Sequence, residues 1–472
     1  MSRTARDITL VGLCWAVSRL MAHVSLEAPS TLAFDEAQYL EESFLLWSGT
    51  PAVFYKGPFI YLLGAAGFQF AHGREVALAA GLLMDLALVL GFWWSVRRDD
   101  RSAALTGALL LASCPLAAWF SMHLLTDVPL AAFSFLCVHA WCRSDAPRAR
   151  VEATLWLVMA LLVKSTAILL LPILILCALM LRRPARASWL PLAAGVAVYL
   201  ALPFLWSQTS DATFLEALPW MSLRCGVLFF PLAAFLAAGP VLTIAAAARC
   251  ISAAGPAATG ALGALTVLAG TFTIFGDPQP KYVMTFVPFL ALLAGQRLAR
   301  ARPMAIALCV VAGMIWITPV VRLMEEDSGM TAAAQYLDSL PLEAIHTTIP
   351  EGVHRHAFSG ALRFAGSQDD APELRALAGP PGAPMAIWTD YSGAPDRLEG
   401  ELARSGQSWK RLDFYTNRNE RPIYLVGMDA PPPAVLRWEP NILFRPFVTA
   451  LDLPVGAAKR LVKRWYQPSR KL

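Results

Sequence analysis

The stretch TLAFDEAQYLEES, residues 31–43, places Asp35 beside Glu36 just after an apolar run, with Tyr39 four residues past Asp35. A carboxylate is costly in hydrocarbon and tolerated at a membrane interface. The pair therefore reads either as a solvated acidic loop end or as a general base at the mouth of a lipid-accessible cavity. Farther on, Lys56 precedes Gly57-Pro58, a turn that opens the short apolar segment PFIYLLGAAGFQFA. A lysine there meets a lipid phosphate, or merely reaches up to headgroup level. A third group is His123, Thr126 and Asp127 in HLLTDVPLAAF. If one helix runs through them, His123 and Asp127 share a face. Two such ligands alone make a thin case for a metal. Thr126 ahead of Asp127-Val128-Pro129 also reads as a plain helix N-cap with proline in the first turn. Lys164 stands alone between two apolar runs in LLVKSTAILLLP, marking an outward turn or a buried functional cation. Lys281-Tyr282 opens a late apolar run, and Arg224 is a further candidate cation.

The elements that must hold these residues are membrane spans. The chain has 472 residues, 57% hydrophobic and 15% charged, against roughly a quarter charged in soluble domains. A span needs roughly 20 apolar residues. Spans are expected near 8–27, 75–96, 102–122, 127–142, 151–163, 165–181, 188–205, 226–248, 257–275, 282–299 and 304–321, about eleven in all. The segment from Pro58 to Ala71 is too short to cross and reads as an interfacial helix. The first span follows Arg3 and Arg6 without a convincing cleavage site, so an uncleaved anchor is expected. Arginine-rich loops at 97–101, 142–150, 182–186 and 297–302 belong in the cytoplasm by the positive-inside rule. The other loops then face outward, and they carry Asp35, Glu36, Lys56, His123, Asp127, Lys164, Arg224 and Lys281. The net charge of +5 lies in topology loops rather than along a stripe, so no nucleic-acid partner is expected. The eight cysteines lie in the apolar region with no CxxC pair, and read as small buried residues.

After residue 321 the composition changes. MAIWTDYS (385–392), WKRLDFYT (409–416) and PIYLVGM (422–428) read as strands, and DRLEGELARSG (396–406) as a helix between two of them. Residues 322–440 are expected to form a small extracytoplasmic α/β domain. Residues 441–472 are expected to form a basic amphipathic tail suited to a membrane surface.

FDEAQYL, KGPFIYLLGAAGFQFAHGREVALAAGLL, LLTDVPL, LLVKSTAILLLP and PKYVMTFVPFLALL occur in that order. Together they resemble the GT-C membrane glycosyltransferases, in particular the group of protein O-mannosyltransferases and lipid A aminoarabinose transferases. The resemblance covers roughly residues 5–320. It implies a polyprenyl-phosphate sugar as donor and a lipid, glycan or protein acceptor among membrane lipids. It also implies a bacterial plasma membrane with the active site on its outer face. It implies catalytic roles for Asp35, Glu36 and Asp127, and a donor-phosphate contact at Lys56. Tyr39, His123, Lys164, Arg224, Lys281 and Tyr282 complete the expected substrate-binding set. Lys281-Tyr282 stands where the group usually has Arg-Tyr. Tyr55 stands where aminoarabinose transferases have a glutamate that is a metal-site candidate, so no metal or other cofactor is assigned.

Two rival readings remain at this point. A transporter or flippase of a lipid-linked sugar carries polar groups near the midplane. One clear charge of that kind is present, Asp85 in GLLMDLALVL, which is either functional or hydrogen-bonded between helices. A family member that binds the lipid-linked sugar without catalysis is the other.

Overall fold

The computed structural model describes residues 2–25, 34–49, 56–71, 74–144, 146–183, 189–205, 231, 233–251, 255–275, 280–324, 336–337, 339–342, 344–347, 384–388, 395–415 and 420–428. Arg224, Cys225 and the basic tail lie outside them. The described residues fall into two compact units. One lies within Met1–Glu27 and Glu42–Met324, the other within Ala28–Glu41 and Glu325–Arg445.

The first unit is helical: α1 (Arg3–Val24), the C-terminal half of α2 (Phe34–Ser48), α3 (Pro58–Gly67), α4 (Arg74–Val96), α5 (Arg101–Ala112), α6 (Pro115–Phe120), α7 (Asp127–Arg143), α8 (Pro147–Val163), α9 (Leu170–Met180), α10 (Trp189–Leu205), α11 (Pro240–Cys250), α12 (Pro256–Phe275), α13 (Val287–Leu298) and α14 (Pro303–Met324). A short helix does start at Pro58, α3, ten residues long and ending at Gly67 rather than Ala71. Among the described residues three helices are long and apolar enough to cross a membrane, over Arg3–Val24, Glu75–Val96 and Pro303–Val321. Most of the other expected spans are shorter or broken, and proline explains one break directly. Pro115 has no N–H to donate and holds Cys114 extended, at φ −69° and ψ 122°, so the run 102–122 is two helices, α5 and α6, rather than one. Lys164 is extended too (φ −157°, ψ 134°) and separates α8 from a 3-10 turn at Ser165–Leu169.

α7 is the centre of this unit. Nearly all of its side chains are buried, against α4, α8, α9 and α12. α1 is tied in by charge. Arg19, in its C-terminal third, donates from Nε to Asp85 Oδ2 on α4 at 2.8 Å, with Nη2 at 2.6 Å from the same oxygen. Trp15 Nε1 donates to that oxygen at 2.6 Å. Arg19 also donates to Ser18 Oγ at 2.8 Å and to the Ala112 carbonyl at the end of α5. Asp85 is therefore a structural partner of α1, the interhelical alternative of its two readings. Near the other end of α1, Arg101 donates to Asp7 at 2.7 Å. Cys14, Cys114, Cys137, Cys142 and Cys177 are buried as expected, whereas Cys250 and Cys309 are half-buried.

The second unit holds the first half of α2, a four-stranded sheet and α15 (Pro395–Ser405). The strands are β1 (Ala344–Thr347), β2 (Met385–Trp388), β3 (Trp409–Tyr415) and β4 (Glu420–Val426), in the order β1-β2-β4-β3. β1 and β2 run parallel; β4 pairs antiparallel with β2 and β3, with Ile387 opposite Tyr424. Side chains two apart share a face, so Met385 and Ile387 meet Tyr424 and Val426, and Leu402 of α15 packs on them. Glu399 accepts from Arg411 at 2.7 Å and from the Tyr424 hydroxyl at 3.0 Å, fixing the helix to the sheet.

Candidate functional site

Asp127 opens α7 and is buried. A carboxylate in a first turn is stabilised by the positive end of the helix dipole. Thr126 is helical (φ −71°, ψ −16°) and makes no side-chain cap, so the plain N-cap reading fails and Asp127 is held another way. Its Oδ1 lies 3.7 Å from Lys164 Nζ, with side-chain exposures of 4% and 14%. No described residue gives that oxygen a hydrogen bond. At an effective dielectric near 20 the attraction is on the order of 4 kcal/mol before desolvation is subtracted. An ammonium has three donors, and at 3.7 Å the carboxylate takes none of them in a hydrogen bond. The Tyr282 ring lies 5.7 Å from the same ammonium, within range of a cation–π attraction. Lys164 thus sits at a helix break and is largely buried.

Lys56 is brought to the same region by backbone. Its N–H donates to the buried Tyr61 hydroxyl at 2.8 Å, one turn into α3. Gly57 then passes so close to the end of α8 that a Cβ on it would stand 2.2 Å from the Leu162 carbonyl oxygen and 3.2 Å from the Val163 carbonyl carbon. Only glycine permits that approach. Lys56 and Lys164 are each one residue away from this contact. α3 is seated from its other side by α2, with Gly64 against Ser43 and Phe68 against Phe44 at 5.5 Å and Trp47 at 6.1 Å.

His123 does not share a helical face with Asp127. α6 ends at Phe120, and residues 121–126 turn before α7 begins. The His123 ring, 2% exposed, lies 4.6 Å from that of Trp119. The turn is pressed on α4 at Gly81, where a Cβ would come within 2.7 Å of the Ser121 and His123 carbonyl oxygens. Among the described residues no three His, Cys, Asp or Glu side chains converge as a metal cage.

Asp35, Glu36 and Tyr39 lie in the first half of α2, in the other unit. The segment is helical, where the sequence left a loop end as one option. Glu36 and Tyr39 are buried, at 0% and 1% exposure, so at Glu36 the solvated-acid reading does not hold. Lys281 lies in a 3-10 turn, Pro280–Thr285, that also carries Tyr282. The structure thus brings Asp127, Lys164, Tyr282 and the Lys56 turn together. Sequence reasoning missed Tyr61 and Arg19. Tyr61 carries a signal in retrospect: a lone tyrosine one turn past a proline-led start is placed to bond back to the turn.

The broken apolar helices thus hold a buried acid–lysine pair at the N-terminal end of α7, away from its arginine-bearing C-terminal end. The profile of the family described as dolichyl-phosphate-mannose-protein mannosyltransferase matches residues 44–206. The structure of ArnT from Cupriavidus metallidurans bound to undecaprenyl phosphate is similar at TM-score 0.63 and 17% identity, over 91% of this chain and 99% of that one. The same enzyme in the apo state gives 0.59 and 17%, over 89% and 98%. At this identity the likeness is one of fold. No curated protein sequence matches the chain.

Proposed function

We propose that this protein is a membrane glycosyltransferase that moves a sugar from a polyprenyl phosphate to a lipid, glycan or protein acceptor at the outer face of the membrane. The observation that carries this reading is the buried Asp127–Lys164 pair beside the Lys56 turn, within this fold. A sugar leaving as the anomeric carbon of a phosphodiester sheds an anion, so the leaving group needs cations more than a general acid. Lys56 and Lys164, with Lys281 or Arg224, supply that charge without a divalent metal. ArnT, of the same fold, was captured with undecaprenyl phosphate, which supports a polyprenyl-phosphate donor here.

In the step itself, an acceptor oxygen attacks the anomeric carbon in line. The carbon–oxygen bond to the phosphate breaks, the configuration inverts, and polyprenyl phosphate departs with its negative charge. Asp35 takes the acceptor's proton when the acceptor is a hydroxyl. An acceptor phosphate is already anionic, and then Asp35 orients it. Asp127 holds the Lys164 ammonium toward the leaving phosphate, and Glu36 supports Asp35.

The transporter reading needs an uncommitted midplane charge, and Asp85 is committed to Arg19 and Trp15. Membranes bearing the protein, incubated with radiolabelled polyprenyl-phosphate sugars, should move label into a lipid, glycan or protein fraction. Label that crosses the membrane while still attached to polyprenyl phosphate would replace this reading with the flippase.

A further inference from the structure

We infer that a groove among α4, α7 and α8 binds one anionic phospholipid, with its headgroup at Arg98 on the arginine-rich side of the membrane. The groove encloses about 560 Å³. Along α4 it is lined by Met84, Ala87, Gly91 and Trp94, which recur every three or four residues on one helical face, and Arg98 follows in the turn after the helix. At 1.5 Å per residue the face from Met84 to Trp94 runs about 15 Å, and half a bilayer core is about 15 Å. The length suits a complete acyl chain descending from the Arg98 end. Aromatic walls close the other side: Phe133 stacks on Trp156 at 5.7 Å, and Phe59 meets Phe133 edge-on at 5.3 Å. Large apolar side chains flank the groove in the open, among them Leu83, Val151 and Leu155. That is how a lipid-facing surface looks.

The charge decides which lipid and which end. The end formed by Phe59, Met84 and Pro129 has no charged lining residue. The opposite end has Arg98, 40% exposed, whose contact with Glu152 is 3.7 Å, too long for a hydrogen bond. Glu152 is already engaged by Arg143 at 2.8 Å. Beside Arg98, Arg97 stacks over Trp94 at 3.7 Å and Trp93 at 4.6 Å. Tryptophan with arginine is the composition of a headgroup layer. A phosphate at Arg98 finds a guanidinium with donors available, and its acyl chain finds the aromatic channel. Neither element belongs to the transfer chemistry, and the lipid is a bound partner rather than a substrate.

Native mass spectrometry of the full-length protein, exchanged into phosphatidylglycerol or phosphatidylcholine, tests this. One phosphatidylglycerol should be retained in preference to phosphatidylcholine, by about five-fold for each arginine that contacts the phosphate. Gly91→Leu should abolish retention by filling the groove. A Cβ at Gly91 meets nothing nearer than Leu136 Cδ1 at 3.8 Å, so the fold should tolerate it. Arg98→Gln should keep a lipid but lose about five-fold of the preference. Equal retention of the two lipids by the unaltered protein overturns the inference, as does unchanged retention in Gly91→Leu. Stoichiometric displacement by polyprenyl phosphate, insensitive to Arg98→Gln, overturns it as well, and makes the groove a seat for a prenyl tail entering from the other face.

Discussion

The pair formed by Arg19 and Asp85 permits a test that separates architecture from chemistry. Asp85 is fully buried, and one of its oxygens takes Arg19 Nε at 2.8 Å, Arg19 Nη2 at 2.6 Å and Trp15 Nε1 at 2.6 Å. Asp85→Leu strands a guanidinium in the bundle, and Arg19→Met strands a carboxylate. Breaking a buried pair in this way costs about 3–5 kcal/mol. Replacing both partners by apolar residues is often neutral, or stabilising by about 1–4 kcal/mol. The double variant Arg19→Met/Asp85→Leu should therefore regain most of what either single loses, with a coupling energy of at least about 3 kcal/mol. In a thermal-unfolding assay of the detergent-solubilised protein, each single should melt several degrees below the parent and the double close to it. Transfer per folded molecule should be unchanged in the double. A double variant as labile as the singles would show that the contacts are not an energetic unit. A stable double variant that no longer transfers sugar would return Asp85 to the chemistry and reopen the transport reading.

Further expectations concern the site. Asp35→Asn should lower transfer by roughly 10²-fold at matched expression with donor binding largely kept, as for a lost general base; near-parental turnover would remove that role. Lys56→Ala should weaken donor binding measured on purified protein while Lys56→Arg retains part of it, and unchanged affinity in Lys56→Ala would leave the residue an interface anchor. In a cycle of Lys164→Ala and Asp127→Ala, donor affinity should fall for each single and fall little further in the double, because the two act as one unit; simple additivity would deny the coupling. Gly57→Ala should impair both stability and transfer, since its Cβ meets backbone 2.2 Å away rather than a movable side chain; a folded, fully active variant would contradict the described approach to α8.

What was legible in the sequence, and what was not, divides by range. Short-range signals carried through. Pro58 opens α3, Lys164 marks the break after α8, and the alternation around Ile387 and Tyr424 gives paired strands. Long-range pairing did not. Asp85 was visible as a charge in an apolar run, yet its partner lies 66 residues earlier in a segment read only as an anchor. The i, i+4 spacing of His123 and Asp127 promised a shared face if one helix ran through both, but α6 ends at Phe120 and α7 begins only at Asp127. The acid–lysine pair was present as two unrelated residues. Nothing in the spacing of Asp127 and Lys164 shows that α8 returns to the start of α7. The helix at Phe34–Ser48 was hidden because its acid pair reads equally well as a loop.

Just before α11 the helix widens into a π turn at Ala234–Ala238, where backbone bonding shifts from the i+4 to the i+5 donor and Pro240 has no N–H to give. The Ala234 carbonyl is met by Thr243 at 3.0 Å and that of Ala238 by the Cys114 thiol at 3.6 Å. The Leu236 carbonyl accepts from Trp316 Nε1 at 2.8 Å, a residue 80 positions later in the chain. A ribosome adding 5–20 residues per second reaches that tryptophan about 4–16 s after Leu236. Until then this carbonyl is without that donor. The widened turn thus ties an early segment to a helix made much later. The packing of the segment before α11 is therefore completed only once α14 exists to supply that donor.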